Sequence, residues 1–220
     1  SKTYSQQNVL VADALAQSIN TIAVRVGEKA GVGDIYRFMT GQLGITSFTS
    51  KDKAAGPMIL GSSTYGVTPY ELAGAYMMLG NGGSFTTLHC YESVQTGYGK
   101  QILTPKVTTR RVLDSDTAYI MNRLLAGVMQ GQGTGAGYRV QDRMDSVGKT
   151  GTTSDNCDHW FMGLTPYYVT ATWWGYDEQN MSLDWKASQY RIHPPTLAWR
   201  QVMEAAQANL EWKAFPSSDD

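Results

Sequence analysis

Two strand-forming runs, Trp160 to Leu164 and Tyr168 to Tyr176, are separated by little more than the turn Thr165-Pro166. A connection that short joins strands as an antiparallel hairpin. In the second run Val169, Ala171 and Trp173 alternate with Tyr168, Thr170, Thr172 and Trp174. Successive side chains point to opposite faces, so bulk lies on both, as expected of a strand covered on each side. A third candidate strand, Met144 to Thr153, precedes the hairpin.

Helical patterns surround these strands. Val9, Ala12, Leu15 and Ala16 share one face, and Ile22, Ala23 and Val26 continue the period after a break at Ser18-Ile19-Asn20. Gly31 and Gly33 end the second helix, and Asp34 is expected to cap a third that carries Ile35, Phe38, Met39 and Leu43. Residues 47–63 read as loop. Thr68-Pro69-Tyr70-Glu71 places a threonine cap, a first-turn proline and a third-position glutamate in the order of a capping box. That helix runs to about Leu79, where Asn81-Gly82-Gly83 ends it. Phe85 to Thr96 and Gln101 to Lys106 read as strands around Gly97-Tyr98-Gly99-Lys100. A helix from about Ser115 to Gln130 follows, with Ala118, Met121, Leu125 and Val128 inward, and then a glycine loop at Gly131, Gly133, Gly135 and Gly137. The last helix, about Pro195 to Ala208, carries the stripe Ala198, Trp199, Val202, Met203 and Ala206. Helices, an antiparallel sheet and a closing helix predict an α+β domain, with the antiparallel sheet flanked by helices.

Composition narrows the function classes. With 18 basic and 19 acidic residues the net charge is −1, so nothing draws the chain to nucleic acid. No apolar run reaches the length of a membrane span. Cys90 and Cys157 fit neither a disulfide framework nor a zinc site and are read as free thiols. His89, His159 and His193 lack metal-ligand spacing, so neither a metal nor another cofactor is expected. His159 is read as solvent-facing, and Trp160, Trp173, Trp174 and Trp199 as core.

The chemistry concentrates in Lys149-Thr150-Gly151-Thr152-Thr153, one cation and three hydroxyls on a short extended segment. At a sheet edge its backbone can pair with an extended peptide, and Gly148 and Gly151 leave room for a close approach. Lys149, Gly151 and Thr153 share one face, and Thr150 and Thr152 the other. A cation with hydroxyl donors suits a carboxylate, and backbone N–H groups suit an oxyanion. Upstream, Ser18-Ile19-Asn20 is S-x-N at a helix break, a hydroxyl that can relay a proton beside an amide that can hold a substrate amide. Each motif alone is common, and taken singly an exposed strand and an interhelix loop account for them better. S-x-N followed by K-T-G in that order matches the motif set of penicillin-binding proteins and serine β-lactamases.

The chain resembles the transpeptidase domain of class A, bifunctional penicillin-binding proteins over about residues 9–206 of 1–220. The most specific stretches are GVTPYELAGAYMMLGNGG from Gly66, GKTGTTSDNCDHWFMGLTPYYV from Gly148 and WWGYD from Trp173. The resemblance implies a penicillin-binding-protein-like fold and a serine acyltransferase. A nucleophilic serine attacks a D-Ala-D-Ala stem peptide, D-alanine leaves, and an amine acceptor takes the acyl group; β-lactams mimic the donor. Carried over by motif, Ser18 relays a proton, Asn20 contacts an amide, Lys149 partners Ser18, and Thr150 and Thr152 bind a carboxylate. Gly151 and Thr153 complete the substrate-binding strand, and the Thr152 N–H supplies half of an oxyanion hole. The implied location is the extracytoplasmic face of a bacterial membrane.

One expected motif departs. In the family the nucleophile opens S-x-x-K on a helix upstream of S-x-N, where serine and lysine three apart face together. Here S-x-N begins at Ser18. Ser50-Lys51-Asp52-Lys53 follows S-x-N in a loop, and Ser146-Val147-Gly148-Lys149 overlaps K-T-G on a strand. Both are rejected. The nucleophile is therefore expected from an upstream part of the same domain, outside these residues, and five antiparallel strands are expected where this chain supplies three. The competing readings are a D,D-carboxypeptidase of the same fold and a non-catalytic module that recognises penicillin or peptide.

Overall fold

A computed structural model of the chain describes residues 7–140, 144–178, 181–183 and 193–217. Helices α1 (Val11–Ala16) and α2 (Asn20–Ala30) meet at the expected break, and α3 (Val32–Arg37) follows Gly31, whose φ of 93° ends α2. Asp34 is not the cap of α3 but stands inside its first turn, where it pairs with Arg37. Residues 47–63 are more ordered than a loop. They hold a 3-10 turn, Ser50–Asp52, and a π-helical turn, Gly56–Leu60. Their organiser is Asp52, only 1% exposed. Its carboxylate accepts hydrogen bonds from the backbone and hydroxyl of both Thr49 and Thr64 at 2.7–2.8 Å. Those donors, the Thr49 N–H foremost, hold its pKa down at about 2 against the opposing effect of burial.

Helix α4 (Pro69–Gly80) starts on the predicted capping box. The Glu71 N–H donates to Thr68 Oγ1 at 3.1 Å and the Thr68 N–H donates back to Glu71 Oε2 at 3.2 Å. Two of the helix's otherwise unpaired donors are satisfied this way. Strands β1 (Ser84–Thr86), β2 (Val94–Gln95), β3 (Gln101–Leu103) and β4 (Thr109–Arg111) form two small ladders, β1 with β4 and β2 with β3. The expected long strand Phe85 to Thr96 is therefore split. Its start is captured by β4, which the Val112 and Leu113 N–H groups anchor on Gly83 O at 2.8 and 3.0 Å.

Helix α5 (Ser115–Ala126), extended by a 3-10 turn at Gly127–Met129, precedes the main sheet. That sheet comprises β5 (Val147–Thr152), β6 (Asp158–Leu164) and β7 (Val169–Gly175) in the antiparallel order β5-β6-β7. Thr165 makes the hairpin turn: its N–H donates to Tyr168 O at 2.9 Å, and its hydroxyl accepts from the Tyr168 N–H at 3.2 Å. The closing helix is α6 (Pro194–Ala206).

One sheet face meets α4 and α5 through Leu79, Leu125, Val128, Val147 and Leu164. The other core joins Met129, Val140, Phe161, Trp199 and Met203. Each such side chain contributes about 1.5–3 kcal/mol by leaving water. The stripe expected on α6 is partly wrong. Trp199 and Met203 are buried, but Val202 is 56% exposed, and Ala198 and Ala206 face solvent. The inward residues are Pro195, Thr196, Trp199, Met203 and Gln207, and the Trp199 indole lies over Gly163, where a Cβ would collide with it.

Two side-chain expectations also fail. His159 is buried at 5% exposure, its ring 5.6 Å from Trp174 and 5.4 Å from His193. Trp199 is core, whereas Trp173 is 37% exposed and donates its indole N–H to Asp158 Oδ1 at 2.8 Å. Cys90 and Cys157 are free thiols.

Candidate active site

Strand β5 is an edge strand among the described residues, as the peptide-pairing reading requires. Lys149 projects from it, opposite Met162 in the register. Its ammonium donates to Ser18 Oγ at 2.7 Å and to the carbonyl of Thr150 at 2.9 Å. Burial draws the Lys149 pKa down to about 8. The cation of K-T-G and the hydroxyl of S-x-N are thus joined directly.

Ser18 reaches the lysine from a constrained joint. It is one of three non-glycine residues with positive φ among those described, at 55°. Such a conformation costs an L-residue about 1–2 kcal/mol. The turn is closed on both sides of it. The Ser18 N–H donates to Leu15 O at 3.2 Å, and the Ile19 N–H to Ala14 O at 2.8 Å. Ala14 is buried, so the end of α1 is fixed and the serine projects outward from it. Asn20 opens α2 two positions later and is exposed.

The other residues of the segment divide. Thr150 Oγ1 lies 2.6 Å from Thr134 Oγ1, a partner in the glycine loop that has no sequence pattern of its own. Thr152 is exposed and stands opposite His159. Gly151 faces Trp160, and a Cβ there would sit 3.2 Å from the Trp160 Cβ. Gly148 is different: a Cβ would strike the Phe161 ring, so this glycine serves core packing and not ligand approach. Thr153 is engaged in the β5–β6 turn. Its hydroxyl accepts from the Asp158 N–H at 2.8 Å and donates to Asp158 Oδ2 at 3.3 Å.

The two S-x-x-K look-alikes lie on a 3-10 turn, Ser50–Asp52, and at the start of β5. Lys53 lies over the Tyr36 ring, 4.6 Å from its centroid. Ser146 is buried just before β5, while Lys149 is committed to Ser18. Among the described residues no group of three metal-ligating side chains occurs.

The family model for the penicillin binding protein transpeptidase domain matches residues 1–189. The chain belongs to the penicillin-binding protein transpeptidase family. It is 33% identical over 207 residues to penicillin-binding protein 1A of Clostridium botulinum, covering 93% of this chain and 24% of that protein. Penicillin-binding protein 1A of Neisseria meningitidis is 32% identical over 175 residues, 77% of this chain and 21% of that protein. The chain thus spans about a quarter of the length of these curated relatives. Among solved structures, penicillin-binding protein 1A of Haemophilus influenzae superposes with a TM-score of 0.78 at 19% identity, covering 99% of this chain and 39% of that one. PonA1 of Mycobacterium tuberculosis in complex with penicillin V gives 0.76 at 24% identity, over 94% of this chain and 58% of that one. These superpositions establish the α+β penicillin-binding-protein fold. No helix among the described residues is long and apolar enough to cross a membrane.

Proposed function

We propose that this chain forms the S-x-N and K-T-G half of a peptidoglycan D,D-transpeptidase site acting at the extracytoplasmic face of a bacterial membrane. Its partners are stem peptides, as D-Ala-D-Ala donor and amine acceptor, and β-lactams that mimic the donor. The observation that carries the reading is the 2.7 Å bond from Lys149 to Ser18. Two motifs that are weak separately meet at one atom pair on an edge strand.

In this reading a serine supplied from outside the 220 residues attacks the carbonyl of the D-Ala-D-Ala bond. Its proton passes through the Lys149–Ser18 network to the departing D-alanine amine. The acceptor amine then attacks the serine ester, the ester C–O bond breaks, and the amine's proton returns to the serine oxygen. Lys149, Thr150 and Thr152 bind the donor carboxylate, Gly151 admits the peptide backbone, and Asn20 holds an amide. Thr153, fixed in the turn, shapes the end of the strand. The direct test is fluorescent-penicillin labelling of the full-length protein, with cross-linked dimer measured from stem peptides. A labelled serine upstream of Ser18 and dimer formation are expected, while the isolated 220-residue chain takes up no penicilloyl mass. An adduct on Ser50 or Ser146 contradicts the assignment. Hydrolysis of donor without dimer supports the carboxypeptidase reading, and binding without acylation supports the non-catalytic module.

A further inference from the structure

We propose that Thr134 is a positioning residue of the transpeptidase site, orienting the Thr150 hydroxyl toward the substrate carboxylate and tying the S-x-N joint to the K-T-G strand. The inference rests on the reading of Thr150 as a carboxylate contact. Thr134 makes two hydrogen bonds, each to a different part of the site. Its N–H donates to Ala16 O at 3.0 Å, two residues before Ser18. Its hydroxyl lies 2.6 Å from that of Thr150, the neighbour of Lys149. One residue therefore braces both elements whose contact is the Lys149–Ser18 bond.

The loop around it is built to hold that position. The Gly133 N–H donates to Gln130 O at 2.8 Å and the Gly135 N–H to Val128 O at 2.9 Å. A Cβ on Gly133 would collide with the Val128 and Gly127 carbonyls, and one on Gly135 would come within 2.8 Å of Met129 Sδ. The glycines let the loop lie against the end of α5, which packs on β5. Thr134 itself is exposed, so its side chain is not there to fill a core.

Hydroxyl chemistry then sets a direction. Each threonine has one proton to donate and two lone pairs to receive. If Thr134 donates to Thr150, the Thr150 proton is free to donate to an anion. In the reverse arrangement Thr150 spends its only proton on Thr134 and offers the anion lone pairs. A bound carboxylate selects the first arrangement, and Thr134 stabilises it as donor.

The test is acylation of the full-length protein by benzylpenicillin and by its methyl ester, which lacks the anion. Removing one such hydrogen bond is worth roughly a fivefold to tenfold loss. Thr134→Val is expected to weaken benzylpenicillin binding by about that factor, with the limiting acylation rate little changed and the ester unaffected. Thr134→Ser is expected to retain wild-type behaviour. Thr150→Val is expected to show the same preference for loss with the anion, and Thr134→Val added to it to cost nothing further. Equal losses with acid and ester, or no loss at all in Thr134→Val, would overturn the role of Thr134. If Thr150→Val does not discriminate acid from ester, the carboxylate reading fails, and the proposal with it.

Discussion

Lys149 Nζ and Ser18 Oγ are 2.7 Å apart although 131 positions separate them in the chain. The bond joins a helix–helix joint to an edge strand. Loop closure over such a span is unfavourable in the unfolded chain, so the pair forms only when the helical layer and the sheet are assembled. Its presence makes the electrostatics of the site dependent on the fold as a whole.

The first consequence is a pH dependence. Lys149 has a pKa of about 8, lowered from 10.5 by burial, so its charge is lost within an accessible range. In the proposed function the cation attracts the donor carboxylate below that value, and above it the attraction fades. The second-order rate of acylation by benzylpenicillin is expected to fall as pH rises through about 8. In Lys149→Arg, any remaining activity should lack that limb, because a guanidinium keeps its charge. A flat profile from neutral to clearly alkaline pH in the unmodified protein would refute the electrostatic role.

A second dependence concerns stability. The His159 and His193 rings lie 5.4 Å apart, and His193 Nδ1 is 2.6 Å from Thr196 Oγ1 at the start of α6. The Tyr138 hydroxyl accepts the His193 N–H at 3.3 Å. Burial lowers both pKa values. For His193, burial first and His159 second bring it from 6.5 to about 4; for His159, burial outweighs the opposing charge of Asp158. The fold thus holds the rings neutral, and the unfolded chain binds more protons. Stability from the pair is full above 6.5 and is lost as pH falls toward 4. Melting temperature should drop over that window, and the drop should be smaller in His193→Gln. An unchanged slope in the variant would show that the pair is not responsible.

Much of this arrangement is visible in the sequence where local chemistry decides it. Thr68-Pro69-Tyr70-Glu71 satisfies its own helix end, and Thr165-Pro166 leaves the hairpin no other pairing. The residues that misled were decided at long range. Whether His159 faces water depends on His193 and α6, which approach from 34 positions away. The Trp199 indole of α6 lies over a glycine in β6. In the site, the motif pair Ser18-Ile19-Asn20 and Lys149-Thr150-Gly151 is recognisable because its residue types are unusual together. Thr134 is not, because a threonine among glycines has no distinguishing pattern until its two partners are placed; the alternation Gly131, Gly133, Gly135, Gly137 was the one available signal.

The sheet supplies a further expectation. Strand β7 pairs with β6 on one side and has no strand partner on the other among the described residues. It carries Trp173 at 37% exposure and is preceded by Tyr168 at 45%. An open edge with large apolar groups invites pairing or aggregation. In the full-length protein the outer edge of Val169–Gly175 is expected to be hydrogen-bonded to another strand. Amide hydrogen exchange checks this: alternate amides of β7 that exchange quickly in the 220-residue chain should become protected by about fivefold to tenfold, since a newly paired amide must break a backbone hydrogen bond before it exchanges. Equal protection in both would mean that the three-stranded sheet is self-sufficient.

In the proposed site Lys149, through its contact with Ser18, serves the chemistry and not the fold. The most direct measurement is the rate of penicillin acylation in full-length Lys149→Ala, alongside its melting temperature. A half-buried lysine at the sheet edge supports little packing, so melting is expected to stay within a few degrees of the unmodified protein. Loss of a preorganised charge is expected to slow acylation by roughly a hundredfold or more. Acylation at a near-normal rate in a folded Lys149→Ala protein would contradict the account.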